Sequence, residues 1–406
     1  MGLFMKKGKK LPRQIPKPTG PYNVGCIDIM TKYSTDGVFI RLFYPAEQIK
    51  VENKCPEWLP HKRYLKGYGM FFKMWPPLFS KSYPTFVGDI NTPASWDVPP
   101  LRVPGTKYPI IVFSHGLGGC RTTYTTYCLE LVSQGFVVAA LEHRDYSACM
   151  SFYFEKKIGD EIPTKKSQDY EKDKDDNVIL KKWMLFQKVK PGKGEFAIRN
   201  QQVHLRAKEC SDVLDMLSCL NSGIHVENVM NTSNLSLETF KDILDLDRVS
   251  IAGHSFGGAT VITTMSKDKR FKVGVGLDTW MVPLKEETSL FQKVQQPMLF
   301  INMEKFQTKD NLRFMKMMES SVAQRTIITL KGTVHLNQTD VPFLCDRAMR
   351  TLFGGHSSLS RFTAMDLTTK LSNVFFCEHL GLPIEEKHSQ YIEQNRNVLK
   401  EGIKLS

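Results

Sequence analysis

The chain has 406 residues, of which 41% are hydrophobic and 24% charged, values that supply a sizeable core and exclude wholesale disorder. Its formal charge of +13 draws the surface toward polyanions, but there is no zinc-finger spacing, aromatic RNA-binding signature or basic region followed by heptads, so nucleic acid is not expected as a partner. The nine cysteines (26, 55, 120, 128, 149, 210, 219, 345 and 377) are odd in number and form no C-x-x-C pair, which points to reduced thiols rather than a disulfide framework or a zinc site.

Residues 1–20 carry Lys6, Lys7, Lys9, Lys10, Arg13 and Lys17 with three prolines, the pattern of a basic extended arm. They lack the apolar run of a secretory signal, and no later stretch is long enough to span a bilayer, so a cytoplasmic protein is expected, with peripheral membrane contact. Gly2 is a candidate for myristoylation, with the lysines as the second, electrostatic signal, although Lys6 stands where that motif wants Ser or Thr; a plain solvated tail is the alternative. The N-x-S/T triplets at Asn231, Asn234 and Asn337 are read as chance.

Short β-type runs at 24–30 and 38–44 read as an opening antiparallel pair. The run 108–113 is continuously apolar, as strands buried on both faces are, and is followed by a His-Gly-Leu-Gly-Gly turn. A helix marked by Leu129 and Val132 stops at Gly135, and 136–141 is a second buried strand, which together make a βαβ unit and demand a parallel sheet. Residues 155–195 are rich in Lys and Asp and read as a charged, mobile insertion. Val203, Ala207, Cys210, Leu214 and Leu217 then recur at four- and three-residue intervals, one face of an amphipathic helix. Further strands are expected at 249–252, 273–277, 298–302 and 326–330. The whole is about eight strands alternating with helices: an α/β fold with a mostly parallel central sheet and helices on both faces, one domain over 21–390 and a tail over 391–406.

Gly253-His254-Ser255-Phe256-Gly257 lies between a buried strand and a helical run, the context of a nucleophile elbow in the α/β-hydrolase fold. A serine hydroxyl needs a base to take its proton, and the base needs an acid to hold its tautomer. Of His335, His356, His379 and His388, which follow the serine, His335 stands just past the last sheet strand and is the expected base. Asp278, at the end of the strand 273–277, is the favoured acid, while Glu304 occupies the later strand end that many members of this fold use. The developing oxyanion needs two donors, expected from the backbone N–H groups of Phe256 and Leu117. His115 and His254 read as packing or hydrogen-bonding residues.

These motifs resemble the platelet-activating factor acetylhydrolases, of the intracellular type and its plasma relative. The resemblance is carried by Gly20-Pro21-Tyr22-Asn23-Val24-Gly25-Cys26, Phe113-Ser114-His115-Gly116-Leu117-Gly118, Glu142-His143-Arg144-Asp145, the elbow, Leu277-Asp278 with Trp280-Met281, and Val334-His335. It implies Asp278 as the acid, Leu117 and Phe256 as oxyanion donors, no cofactor or metal, and calcium-independent hydrolysis of phospholipids with short or oxidised sn-2 acyl chains. Gly119-Cys120 and Tyr146 depart from the family pattern near the expected acyl pocket. A substrate drawn from a lipid interface calls for exposed apolar groups, with Phe71, Phe72 and Trp75 as candidates beside Leu352 and Phe353. A general carboxylesterase or neutral-lipid lipase would use the same triad, and a non-catalytic binding protein on this fold is the reading from another class.

Overall fold

The computed structural model describes residues 14–47, 54–73, 90–157, 170–172, 178–190, 192, 194–345, 350, 354 and 356–402, the backbone alone for 170–172. Its strands are β1 (Asn23–Met30), β2 (Phe39–Ala46), β3 (Ser95–Trp96), β4 (Tyr108–Ser114), β5 (Val137–Leu141), β6 (Met150–Lys157), β7 (Tyr170–Lys172), β8 (Val178–Leu185), β9 (Leu244–His254), β10 (Val273–Leu277), β11 (Met298–Met303), β12 (Arg325–Leu330) and β13 (Leu399–Glu401). The helices are α1 (Arg63–Phe71), α2 (Thr125–Ser133), α3 (Glu195–Asn221), α4 (Phe256–Lys267), α5 (Lys309–Lys316), α6 (Val341–Leu344), α7 (Arg361–Leu380) and α8 (Glu386–Gln394).

Ten strands form one sheet in the order β13-β12-β11-β10-β9-β4-β5-β2-β1-β3. From β5 to β12 every pairing is parallel, and β1–β2, β2–β5 and β12–β13 are antiparallel. Eight of the ten are the strands expected from sequence. The other two, β3 and β13, are edge strands of two and three residues, too short to show a period of two. The last of these falls within the tail expected over 391–406, where Leu399–Glu401 pairs with Ile328–Leu330 of β12.

Alternation along the central strands sends successive side chains to opposite faces. Ile111, Phe113, Val138 and Ala140 join Leu129 and Leu131 of α2 and Leu367 and Phe376 of α7 on one side. Ile110, Val112, Val137 and Ala139 join Val203, Leu214 and Leu217 of α3 and Val261 and Ile262 of α4 on the other. Each such fully buried aliphatic side chain contributes about 1.5–3 kcal/mol against exposure. The charged segment expected at about 155–195 carries strands where it is described. Met150–Lys157 and Val178–Leu185 pair antiparallel, with β7 on the far edge, and Trp183 packs on Phe152. Residues 158–169 and 173–177 lie outside the described set.

Charge is also buried inside the fold. Asp28 of β1 takes a bidentate contact from Arg41 (2.7 and 3.0 Å) and a third from Arg121 (2.8 Å), and Arg121 reaches on to Glu142 at 2.5 Å. Burial alone would raise the Asp28 pKa, but Arg121 and Arg41 outweigh it and hold the carboxyl below its ordinary value.

Candidate active site

Strand β9 ends at His254, helix α4 begins at Phe256, and Ser255 makes the whole turn between them at φ 55° and ψ −114°. A residue other than glycine holds so unfavourable a backbone only where the surroundings enforce it. Here the Ser255 N–H donates to the Leu277 carbonyl at 2.8 Å, and its own carbonyl accepts from Trp280 and Gly258, each at 3.0 Å. The turn is tight enough to require glycine on both sides. A Cβ on Gly253 would lie 2.3 Å from the Gly257 oxygen, and one on Gly257 would lie 2.0 Å from the Ser114 oxygen.

Asp278 follows β10 with φ 45°, pinned by donation of its N–H to Ile301 at 2.8 Å. Its carboxylate is fully buried: Oδ1 accepts from the Met303 N–H at 2.9 Å and the Gln307 amide at 2.5 Å, and Oδ2 meets His335 Nδ1 at 2.6 Å. Asn311 fixes that amide by donating to Gln307 Oε1 at 2.6 Å. Burial pushes the Asp278 carboxyl up to about 7, against the donation from Met303. Burial also depresses His335, so the imidazole is held neutral with Nδ1–H turned to the carboxylate.

The His335 ring stacks on Phe306 at 3.7 Å between centroids and lies 4.4 Å from the His254 ring. His254 donates from Nε2 to the His335 carbonyl at 3.2 Å and accepts at Nδ1 from the Tyr124 hydroxyl at 2.9 Å. That hydroxyl in turn accepts the Gly116 N–H at 3.0 Å. A chain of hydrogen bonds thus ties the loop after β4 to the backbone of the histidine. Burial, then the neighbouring His335, depresses the His254 pKa and keeps it neutral, in keeping with a structural rather than a basic part.

Ser255 and His335 line one cavity of about 280 Å³ with Gly116–Gly119, Tyr68, Phe71, Phe72, Trp280, Phe306 and Leu336. Among the described residues no direct hydrogen bond joins Ser255 Oγ to His335; catalytic pairs of this kind commonly tighten only on substrate. In the wall formed by the loop after β4, Gly116 N–H is taken by Tyr124, Gly118 N–H by the Ser147 carbonyl (2.8 Å) and Gly119 N–H by the Gly116 carbonyl (3.0 Å). Among the described residues none accepts the Leu117 N–H, and Phe256, as the first residue of α4, has an N–H without an intrahelical acceptor. Two unspent donors therefore flank the serine.

The rival candidates sit elsewhere. Glu304 is exposed and accepts the Gly332 N–H at 2.8 Å, bracing the turn after β12. His356 is at the surface, His379 packs on Phe375, and His388 is buried against Asn373. Donor atoms of His254, Asp278 and His335 lie within 4.8 Å of one another, but both His254 nitrogens and His335 Nδ1 are committed to hydrogen bonds, which leaves too few ligands for a metal. Phe71 and Phe72 are half-buried at the cavity, Phe71 packing on Gly118; Trp75, Leu352 and Phe353 lie outside the described residues, as do Gly2, Lys6, Lys7, Lys9 and Lys10 of the arm, while Lys17 is described and exposed. Tyr124, Gln307 and Phe306 carry no motif, and sequence reasoning missed them: each acts through a contact between segments remote in the chain.

Residues 7–398 match the family described as platelet-activating factor acetylhydrolase, isoform II. The chain is 39% identical to a platelet-activating factor acetylhydrolase of dog, over 91% of this chain and 78% of the relative, and 37% identical to that of chicken, over 91% and 84%. It is 25% identical to a putative phospholipase A2 of Schizosaccharomyces pombe over 93% and 94%. A ferulic acid esterase from Streptomyces cinnamoneus superposes with a TM-score of 0.57 at 20% identity, over 91% of this chain and 94% of that one, a likeness of fold.

Proposed function

The chain belongs to the platelet-activating factor acetylhydrolase family, isoform II type, and on that premise we propose that Ser255, His335 and Asp278 perform its ester hydrolysis, with Leu117 and Phe256 as oxyanion donors. The enzyme is a carboxylic ester hydrolase acting on phospholipid. The observation that carries the residue assignment is the 2.6 Å contact of His335 with the buried Asp278 in the wall of the cavity that Ser255 lines.

His335 Nε2 takes the Ser255 proton as Oγ attacks the sn-2 carbonyl carbon, and Asp278 stabilises the imidazolium that forms. The carbonyl π electrons move onto oxygen, where the Leu117 and Phe256 N–H groups receive the charge. The imidazolium then protonates the departing glycerol oxygen, which releases lysophospholipid and leaves the acyl group on Ser255. Water, deprotonated by the same imidazole, attacks that ester and frees the short acid. The cavity is small beside the ~300–1,000 Å³ of common ligand sites and mostly apolar, which favours a short acyl group.

The alternative of a general carboxylesterase or neutral-lipid lipase uses the same triad, so substrate comparison separates them. Phospholipid with a short sn-2 chain is expected to be cleaved faster than its long-chain counterpart and faster than triacylglycerol; preference for triacylglycerol overturns the phospholipid assignment. We further propose peripheral contact with a lipid surface through the aromatic rim at Phe71 and Phe72. Among the described residues no helix is long and apolar enough to cross a membrane.

A further inference from the structure

Arg206 of α3 is fully buried, and none of the motifs around Ser255 accounts for it. A buried guanidinium is tolerated only where its charge and donors are matched. Its Nε meets Asp145 Oδ2 at 3.0 Å and the Ser147 hydroxyl at 3.0 Å, and Nη2 donates to the same hydroxyl at 2.6 Å. Its remaining contacts run to the two sides of the oxyanion site. Nη1 donates to the His115 carbonyl at 2.6 Å, two residues before Leu117, and the guanidinium carbon lies 4.3 Å from the centroid of the Phe256 ring. Ser147, which Arg206 holds, accepts the Gly118 N–H on its carbonyl at 2.8 Å, one residue after Leu117.

One side chain thus grips the loop before Leu117 directly, grips it after Leu117 through Ser147, and braces the residue whose N–H is the second donor. We infer that Arg206 is a positioning residue that sets the spacing between the Leu117 and Phe256 N–H groups, provided those are the donors proposed above. The planar fork is what the site requires, since it lets one cation bond a carbonyl and a carboxylate in its plane while its face lies on an aromatic ring; lysine offers a point charge with neither geometry. A fixed donor spacing matters because the donors act on charge that exists only in the transition state, so a shift of either N–H is felt in turnover rather than in substrate binding.

The test compares Arg206→Lys with the wild-type enzyme on a short-chain sn-2 phospholipid, alongside inhibition by a trifluoromethyl ketone analogue of the ester, which binds as an oxyanionic hemiketal, and by the corresponding alcohol, which does not. The expected result is a kcat roughly tenfold to a hundredfold lower, below the ~10²–10³ lost when a donor is removed outright, with KM and alcohol binding within threefold and ketone affinity reduced in parallel with kcat. An unchanged kcat in folded protein, or a reduced kcat with unaltered ketone affinity, overturns the role of Arg206. If Arg206→Lys does not fold, Ser147→Ala decides: kcat is expected to fall severalfold at constant KM, and no change overturns the inference. Should the ketone bind wild-type enzyme no better than the alcohol, the donor assignment itself fails, an outcome distinct from any result with Arg206.

Discussion

His335 and Asp278 share a buried contact in which one proton matters. On the proposed mechanism protonation of the pair removes the base, so kcat/KM is expected to fall as pH falls, and because burial pushes Asp278 up to about 7 the acid limb is expected near neutrality, far above the ordinary carboxylate range. Asp278→Asn removes the charge that favours the imidazolium. It should cut kcat by about 10⁴-fold and move the remaining limb to lower pH, since burial alone then acts on His335. A pH–rate series on both proteins checks this, and a limb that stays in place contradicts it. Glu304→Gln, at an exposed turn, should leave the rate within about threefold, as distant surface changes do. Ser255 and His335 can be proposed from sequence because their signals are local, a glycine-framed elbow and a histidine past the last strand. Spacing leaves the acid open, because Asp278 and Glu304 both end strands, and the contact of Asp278 with His335 is what supports the proposed choice.

At the level of elements, the elbow is set by sterics that the sequence states openly. Gly257→Ala would drive a Cβ to 2.0 Å from the Ser114 oxygen, so either the turn or β4 must move. Thermal unfolding should show a loss of about 1–3 kcal/mol, and activity should fall on the order of 10²-fold, because a displacement of about an ångström is enough to do so. Eight central strands are readable from sequence, 108–113 and 136–141 as buried apolar runs and the others as short β-type runs between turns and helices. The β6–β8 hairpin was hidden because Lys and Asp dominate its surroundings, although Val178, Leu180 and Met184 are buried along it. Edge strands β3 and β13 were hidden by brevity. The tie from Tyr124 through His254 to the His335 carbonyl joins three elements, and no single segment announces it.

Across the whole molecule, the buried Asp28–Arg41–Arg121–Glu142 network joins the antiparallel edge of the sheet to the centre, and composition gave no sign of it because charged residues are expected outside. Its effect on stability has a definite sign. Asp28 is held below its ordinary value, so its contribution is present above the unfolded carboxylate pKa of ~3.9 and is lost as pH falls through the lower folded value. Asp28→Asn should cost about 3–5 kcal/mol in urea unfolding at pH 7, where Arg41 loses its carboxylate partner and Arg121 keeps only Glu142, and less below pH ~3. The proposed mechanism, by contrast, uses three side chains and two N–H groups with no metal step, so chelators are expected to leave hydrolysis unchanged; a loss restored by calcium would contradict that. The most direct measurement is the rate at which Ser255→Ala, confirmed as folded, cleaves a short-chain sn-2 phospholipid. A fall of about 10⁴-fold or more, with loss of fluorophosphonate labelling, is the predicted result, and a rate within tenfold of the parent enzyme would contradict it.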